Sequence, residues 1–208
     1  NRVLSLGLYK GWRKKLLNGI RKQQAIDILD VATGTGDVAI ALSSISSVRI
    51  EAVYLSTQML AVQAKQLDKL QLNERIKLQV ADAEKLPFKE QFDAVTVAFG
   101  IRNFANLDKG LSEMFRVLHP NGCLYILETS RPKKFPMKQA HYIMSNVIIP
   151  LLGKVFAEDK SAYAYLGESA THFPDGKVMC NKLQEIGFTK VTHRPLSGGV
   201  VSLYVAQK

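Results

Sequence analysis

The chain has 208 residues, with 28 Lys and Arg, 18 Asp and Glu and a formal net charge of +10. Apolar residues make up 47% and charged residues 22%, a globular composition that excludes a wholly disordered chain. We expect one domain over residues 1–208. Two cysteines are too few for a disulfide scaffold, and no run of about 18 apolar residues predicts a membrane-spanning helix. These features favour a cytoplasmic protein.

The N-terminal segment is strongly basic. Residues 3–24 predict one amphipathic helix ahead of the first strand, and no acid occurs in residues 1–26 or 131–157. Such surfaces attract nucleic acid or an anionic membrane, although a solvated helix face explains the same charges. The basic residues of the first stretch are Arg2, Lys10, Arg13, Lys14, Lys15, Arg21 and Lys22.

Strands and helices then alternate along the chain. Apolar and period-two runs predict buried strands, and apolar residues spaced by three and four predict helices between them. The helix 107–118 is expected to end at a proline-glycine break, residues 119–122. The pattern predicts an α/β fold with a mostly parallel sheet and a C-terminal antiparallel hairpin. The predicted strands are 25–32, 49–55, 76–82, 92–99, 123–129, 190–196 and 200–208, and the other helices are 37–44, 57–72 and 176–186.

A long segment interrupts the alternation between the fifth strand and the last helix. Residues 133–173 predict a helical insertion that contains the apolar stretch 143–156, broken by Pro150 and Gly153. This stretch is too short to span a bilayer. A packed lid helix, a surface-binding segment, core packing and a contact in a homodimer are the alternatives for it.

The strongest motif is the run DVATGTGD, residues 30–37, which follows the first predicted strand and opens a helix. Glycines there permit a tight turn and the close approach of a ligand to the main chain. With Ala39 the run also fits the dinucleotide fingerprint, which expects an acid for the ribose at the end of the second strand. Tyr54 stands there instead. Asp30, four residues before Gly34, is typical of turns that bind S-adenosylmethionine, where a carboxylate faces the ammonium of the methionine moiety.

Further strings, some of them rare, are spread over nearly the whole chain: GWRKK (11–15), ADAEKLPF (81–88), DAVTVAFGIRNF (93–104), GLSEMFRVLHPNG (110–122), DKSAYAYL (159–166), FPDG (173–176) and SGGVVSLY (197–204). With these strings the sequence resembles the class I S-adenosylmethionine-dependent methyltransferases, and more narrowly the ubiquinone/menaquinone biosynthesis C-methyltransferase family. The resemblance implies a Rossmann-like class I methyltransferase fold with seven strands and S-adenosyl-L-methionine as the cofactor. The family also has a segment before this start, so we expect one ahead of Asn1.

The resemblance places cofactor contacts on matching positions. These are Asp30, Gly34, Thr35 and Gly36 on the glycine turn, Asp82 and Ala83 after the third strand, and Ala98 at the end of the fourth. The turn is implied to hold the methionine and ribose part, and the Asp-Ala pair the adenine. The structural alternative is that Asp82 caps a helix and the glycines only turn the chain.

Tyr54 departs from the family pattern, which has Asp at this position to accept the two ribose hydroxyls. Two charge-assisted hydrogen bonds of about 1.5–3 kcal/mol each would be lost. A phenol replaces them only in part, so we expect weakened cofactor affinity. A cofactor-binding module of reduced activity therefore stays open as an alternative function.

Arg102 and Asn103 are the predicted catalytic pair, because they follow the fourth strand at the edge where open α/β sheets bind ligands. In transfer to a quinol ring carbon, Arg102 would stabilise the forming phenolate and Asn103 would orient it. A bound water would carry the proton, since Arg102 stays protonated. The alternative is that Arg102 pairs with Glu128. No metal ion is expected. Six residues of the insertion are further candidates for ring contact, although packing or solvation is the favoured interpretation of each one: His141, Tyr142, Asp159, Tyr163, Tyr165 and His172.

The substrate implied by the resemblance is a polyprenyl quinol, with demethylmenaquinol as the first choice. Such a substrate lives in the bilayer, so the basic faces and the stretch 143–156 favour peripheral binding at the inner face of the membrane. A methyltransferase that acts on RNA or another small molecule is the competing function. We expect no nucleic acid partner, because the Asn/Asp-Pro-Pro-aromatic tetrad and an aromatic stacking platform are missing from the sequence.

Overall fold

A computed structural model provides the structure of the chain, and it describes residues 7–133, 135–139 and 173–208. The strands are β1 (Asp27–Val31), β2 (Arg49–Tyr54), β3 (Ile76–Val80), β4 (Phe92–Ala98), β5 (Leu118–Thr129), β6 (Thr189–Leu196) and β7 (Val201–Gln207). The helices in the described ranges include α1 (Tyr9–Gln23), α2 (Asp37–Leu42), α3 (Thr57–Leu70), α4 (Leu107–Val117) and α5 (Lys177–Ile186).

The seven strands form one sheet in the order β3-β2-β1-β4-β5-β7-β6. The first five pair in parallel, while β7 runs antiparallel to both β5 and β6. The predicted seven-stranded fold with a terminal antiparallel hairpin is therefore confirmed. The chain reverses its direction of travel across the sheet between β1 and β4, which creates a switch point at their carboxyl ends.

Apolar side chains cover both faces of the sheet. On one face α1, α2 and α3 contribute Leu16, Leu42 and Leu67, all essentially without exposure to solvent. On the other face α4 and α5 contribute Met114 and Leu183 in the same way. Because both faces are buried, the central strands β1 and β4 are mostly apolar, as is typical of parallel strands between helical layers, with the buried Asp30 and Thr96 as exceptions.

Local signals set the helix boundaries. The side chain of Ser56 caps α3 by accepting a hydrogen bond from the Met59 amide, and Asn106 caps α4 by accepting one from the Lys109 amide. α5 ends at Gly187, whose φ of 116° suits glycine.

The predicted break at residues 119–122 differs in the structure. β5 begins at Leu118, directly after α4, and these four residues form an irregular bulge in which the register on β4 shifts between Phe92 and Ala94. The C-terminus explains the difference, because Lys208 exchanges main-chain hydrogen bonds with Asn121 and Gly122. A proline-glycine pattern over four residues cannot indicate a hydrogen-bond partner at the far end of the chain.

The two predicted helical segments at 3–24 and 133–173 lie partly outside the described residues. α1 accounts for most of the first. Of the insertion, residue 133, residues 135–139 and residue 173 are described. Within the described ranges, no helix combines the length and apolar character needed to cross a bilayer.

Candidate active site

A cavity of about 1160 Å³ lies at the carboxyl edge of the sheet, where the chain leaves β1, β2 and β4. It coincides with the switch point between β1 and β4, the place where open α/β sheets bind ligands. Tyr9 of α1 closes one side, with its ring centroid 5.7 Å from that of Phe99. This cavity is the candidate active site.

Asp30 is a buried carboxylate in the wall of the cavity. Its Oδ1 accepts a hydrogen bond of 2.6 Å from the Thr96 hydroxyl, whereas its buried Oδ2 has no hydrogen-bond partner among the described residues. Burial raises the pKa of Asp30 to about 6, and hydroxyl and amide groups nearby offset part of that rise. A buried carboxylate oxygen without a donor suits a cationic group of a ligand, because leaving it unpaired is costly.

The glycine turn brings main chain to the cavity wall. Gly34 and Gly36 adopt left-handed conformations, with φ of 55° and 76°. A Cβ on Gly36 would lie 2.3 Å from Nε2 of the buried Gln63, so any other residue at this left-handed position would have to displace that side chain. Gln63 in turn donates a hydrogen bond of 3.3 Å to the Thr33 hydroxyl. Gly34 and Thr35 line the cavity, while Gly36 supports them from behind.

The turns after β1 and β4 pack tightly against each other. Ala32 and Phe99 both have positive φ, 55° and 56°, which is uncommon for residues with a Cβ. A Cβ on Gly100 would lie 2.6 Å from the Cβ of Ala32. Two strained positions at one edge of the sheet are typical of a functional site, and both residues line the cavity next to Ala98.

Tyr54 is half-buried at the end of β2 and lines the cavity. The wall that β2 and α3 contribute carries no carboxylate in the described chain; it consists of Val53, Tyr54, Leu55, Ser56, Met59 and Gln66. The family pattern has an Asp at the position of Tyr54 to bind the ribose, and no neighbouring residue described on this wall supplies a carboxylate in its place.

Asp82 and Ala83 follow β3 and also line the cavity. Asp82 is exposed, and its Oδ1 accepts a hydrogen bond of 2.9 Å from the Glu84 amide. This contact closes a tight turn over residues 82–85, and no helix begins there, so the alternative that Asp82 caps a helix is wrong. An exposed carboxylate can still accept a further hydrogen bond from a ligand, so the turn is compatible with a contact to the cofactor.

Asn103 and Arg102 occupy the 3₁₀ turn Ile101–Asn103 after β4. Asn103 lines the cavity and is exposed. Arg102 lies outside the lining, and its Nη1 donates hydrogen bonds of 2.8 Å to Oε1 of Glu128 and to Oγ1 of Thr129. The structure therefore contains the Arg102–Glu128 pair, the structural alternative expected from the sequence.

Other residues in the wall were not predicted, among them Tyr9, Phe99 and Gln66. Tyr9 and Phe99 are 90 positions apart, so no spacing in the sequence indicates their contact. The six candidate ring contacts in the insertion lie outside the described residues.

Comparisons with known proteins show which family the chain is similar to and which fold it shares. The ubiE/COQ5 methyltransferase family matches residues 1–208. The demethylmenaquinone methyltransferase of Bacteroides fragilis is 45% identical over 210 residues, which cover 100% of this chain and 86% of that protein. The ubiquinone/menaquinone biosynthesis C-methyltransferase UbiE of Geotalea uraniireducens is 37% identical over 211 residues, covering 100% and 89%. The crystal structure of a SAM-dependent methyltransferase from Aquifex aeolicus has a TM-score of 0.63 at 18% identity, over 94% of this chain and 96% of that one, and shows the fold alone.

Proposed function

Because the chain belongs to the ubiE/COQ5 methyltransferase family, we propose that it methylates a ring carbon of a polyprenyl quinol, with demethylmenaquinol as its substrate and menaquinol as its product. The relatives named for demethylmenaquinone support this choice, since their alignments cover the whole chain. We also propose that residues 1–208 act as one methyltransferase domain. The sheet supports this, because its strands come from residue 27 through to residue 207.

The cavity fits the cofactor that the family uses. S-adenosyl-L-methionine supplies an electrophilic methyl group when it is bound. The unpartnered Oδ2 of Asp30 is the observation that carries the assignment, because it would accept a hydrogen bond from the ammonium of the methionine part. The other proposed contacts are Gly34, Thr35 and Gly36 for the methionine and ribose, Tyr54 for the ribose, Asp82 and Ala83 for the adenine, and Ala98 beside the cofactor.

For the substrate side we propose that Asn103 and Arg102 act on the quinol ring. A ring carbon becomes nucleophilic when the neighbouring hydroxyl loses its proton. Asn103 lies on the wall and would orient that oxygen, and the positive charge of Arg102 just behind it would favour the phenolate. Arg102 cannot take the proton itself, so a water molecule would carry it.

The test combines binding and turnover in one preparation. Calorimetry with S-adenosylmethionine should show a single site, and demethylmenaquinol should be converted to menaquinol. Arg102→Ala and Asn103→Ala should lower turnover at least tenfold with the cofactor Kd unchanged. Cofactor binding without turnover would contradict the substrate, and no binding at millimolar cofactor would support the reduced-activity alternative.

We further propose that the protein binds peripherally to the inner face of an anionic membrane through α1. The helix buries Trp12, Leu16 and Ile20 against the sheet. Its opposite face presents exposed cations: Lys10, Lys14, Lys15, Arg21 and Lys22. Each such cation near an anionic surface contributes about 1 kcal/mol. This face would bring the cavity close to a substrate that is dissolved in the bilayer.

A further inference from the structure

A buried polar cluster connects the ends of β4 and β5 behind the cavity wall. Oε1 of Glu128 accepts hydrogen bonds of 2.8 Å from Nη1 of Arg102 and from the Thr129 amide. The Thr129 hydroxyl completes the cluster by accepting from the same Nη1 at 2.8 Å. The side chain of Glu128 is 0% exposed and that of Arg102 is 9% exposed. The cluster is therefore almost fully removed from water.

Two polar atoms of the cluster lack a hydrogen bond to any described residue. Oε2 of Glu128 and Nε of Arg102 are buried and have no hydrogen-bond partner in the part of the chain that the structure describes. Burial raises the pKa of Glu128, and the Arg102 charge offsets part of the rise. Buried pairs of this kind are often no more stabilising than apolar residues of similar volume. A contribution to folding stability therefore does not explain why a charged pair is buried at this position.

The pair holds the turn that forms one wall of the cavity. Phe99, just ahead of the turn, has a strained φ of 56°, and strained positions persist only where their surroundings hold them. On one side the Phe99 ring packs against Tyr9. On the other side the turn is attached to the end of β5 through Arg102 and Glu128. Asn103, which lines the cavity, is the next residue after this attachment.

We propose that Glu128 is a positioning residue for methyl transfer, which holds Arg102 and the turn Ile101–Asn103 so that Asn103 faces the quinol ring. The inference rests on the proposed function for its effect on turnover. A misplacement of about 1 Å in a group that orients a substrate can cost about a hundredfold in rate. Glu128 itself touches neither the cavity nor the reacting atoms.

Glu128→Gln tests this role, because it keeps the shape of the side chain and removes its charge. We expect kcat to fall at least tenfold, the cofactor Kd to stay within threefold, and amide exchange at Asn103 and Phe104 to accelerate at least tenfold. Glu51→Gln is the matched control: Glu51 is a half-buried carboxylate on β2 that lies 4.0 Å from an exposed lysine, and all three values should stay unchanged. Glu128→Asp should restore part of the turnover.

A double variant separates positioning from space filling. Arg102→Met with Glu128→Met keeps the volume of the pair and removes both charges. We expect it to melt at or above the temperature of Glu128→Gln, yet to recover no turnover. Recovery to within twofold of the unaltered protein would overturn the proposal.

The exchange measurement keeps this inference distinct from the proposed function. If the unaltered protein fails to methylate demethylmenaquinol, the proposed function is wrong, but accelerated exchange at Asn103 in Glu128→Gln still supports the positioning role. Unchanged exchange, or a kcat of Glu128→Gln equal to or above that of the unaltered protein, would refute the role. So would a loss of cofactor affinity as large as the loss of kcat, since that indicates a general structural defect.

Discussion

At the scale of single residues, the burial of Asp30 determines how the cofactor site responds to pH. Its pKa lies near 6 instead of 3.8, so the folded protein holds a proton through a range in which the unfolded chain has released it. The free energy of unfolding of the unliganded protein therefore falls as the pH rises from about 4 to 6, by about 3 kcal/mol at most. Above pH 6 the carboxylate is ionised, so the unliganded protein carries the free-energy cost of a buried charge. That charge lies where a cationic group of the ligand would bind.

This leads to a prediction about cofactor binding and pH. Only ionised Asp30 pairs with an ammonium, so the Kd for S-adenosylmethionine should rise about tenfold between pH 7.5 and pH 5, as the carboxylate protonates. Asp30→Asn should bind weakly at both pH values and should melt at a higher temperature than the unaltered protein at pH 7.5. Calorimetry and thermal melts measure both effects. A Kd that is equal at the two pH values would contradict the role of Asp30.

A second prediction concerns Tyr54. Tyr54→Asp should lower the Kd for S-adenosylmethionine at least tenfold, because a carboxylate can accept hydrogen bonds from both ribose hydroxyls. Tyr54→Phe is the control and should weaken binding only slightly, since it removes only the phenol hydroxyl. If Tyr54→Asp leaves the affinity unchanged in calorimetry, the wall at the end of β2 does not hold the ribose.

At the scale of elements, the site depends on how closely the turn after β4 approaches the turn after β1. Gly100 has an ordinary negative φ, so the backbone conformation does not require glycine there. Glycine is required because there is no room for a Cβ. The space is limited by the Cβ of Ala32, and Ala32 itself has a left-handed φ that glycine adopts more easily. The two positions are thus coupled through one methyl group.

The coupling predicts a rescue. Gly100→Ala should lower the melting temperature and weaken cofactor binding, because the new Cβ meets that of Ala32. Adding Ala32→Gly should restore both, since the nearest remaining contact is then the carbonyl oxygen of residue 32 at 3.4 Å. Ala32→Gly alone should be neutral or stabilising. A double variant as impaired as Gly100→Ala would show that the turns are not coupled in this way.

At the scale of the whole molecule, the net charge of +10 is concentrated where it can act on a partner. The exposed face of α1 carries several cations and no acid, whereas the cations of α3 share their helix with Asp68. A concentrated basic face gives electrostatic attraction to an anionic surface, and this attraction weakens as salt is added.

This distribution predicts which lysines matter for vesicle binding. Changing Lys10, Lys14 and Lys15 to Glu should abolish sedimentation with vesicles that contain anionic lipid, while the cofactor Kd stays the same. The matched control changes three exposed lysines elsewhere, Lys65, Lys69 and Lys89, to Glu, and should still sediment. Equal loss in both variants would indicate an effect of net charge alone and contradict docking through α1.

The succession of strands and helices along the chain and the place of the glycine turn can be predicted from the sequence. These features depend on hydrophobic periodicity and on turn residues, and both signals are contained in short stretches of neighbouring residues. The predicted strands also place Asp30, Tyr54 and Asp82 at or next to strand ends, and the carboxyl ends of parallel strands meet at one edge of a sheet. Contacts between residues that are distant in the sequence cannot be predicted from such short stretches. The contact of Tyr9 with Phe99, the Arg102–Glu128 pair and the bulge that Lys208 stabilises in β5 all join residues far apart in the chain. Only packing of the folded sheet and helices brings such residues within contact distance.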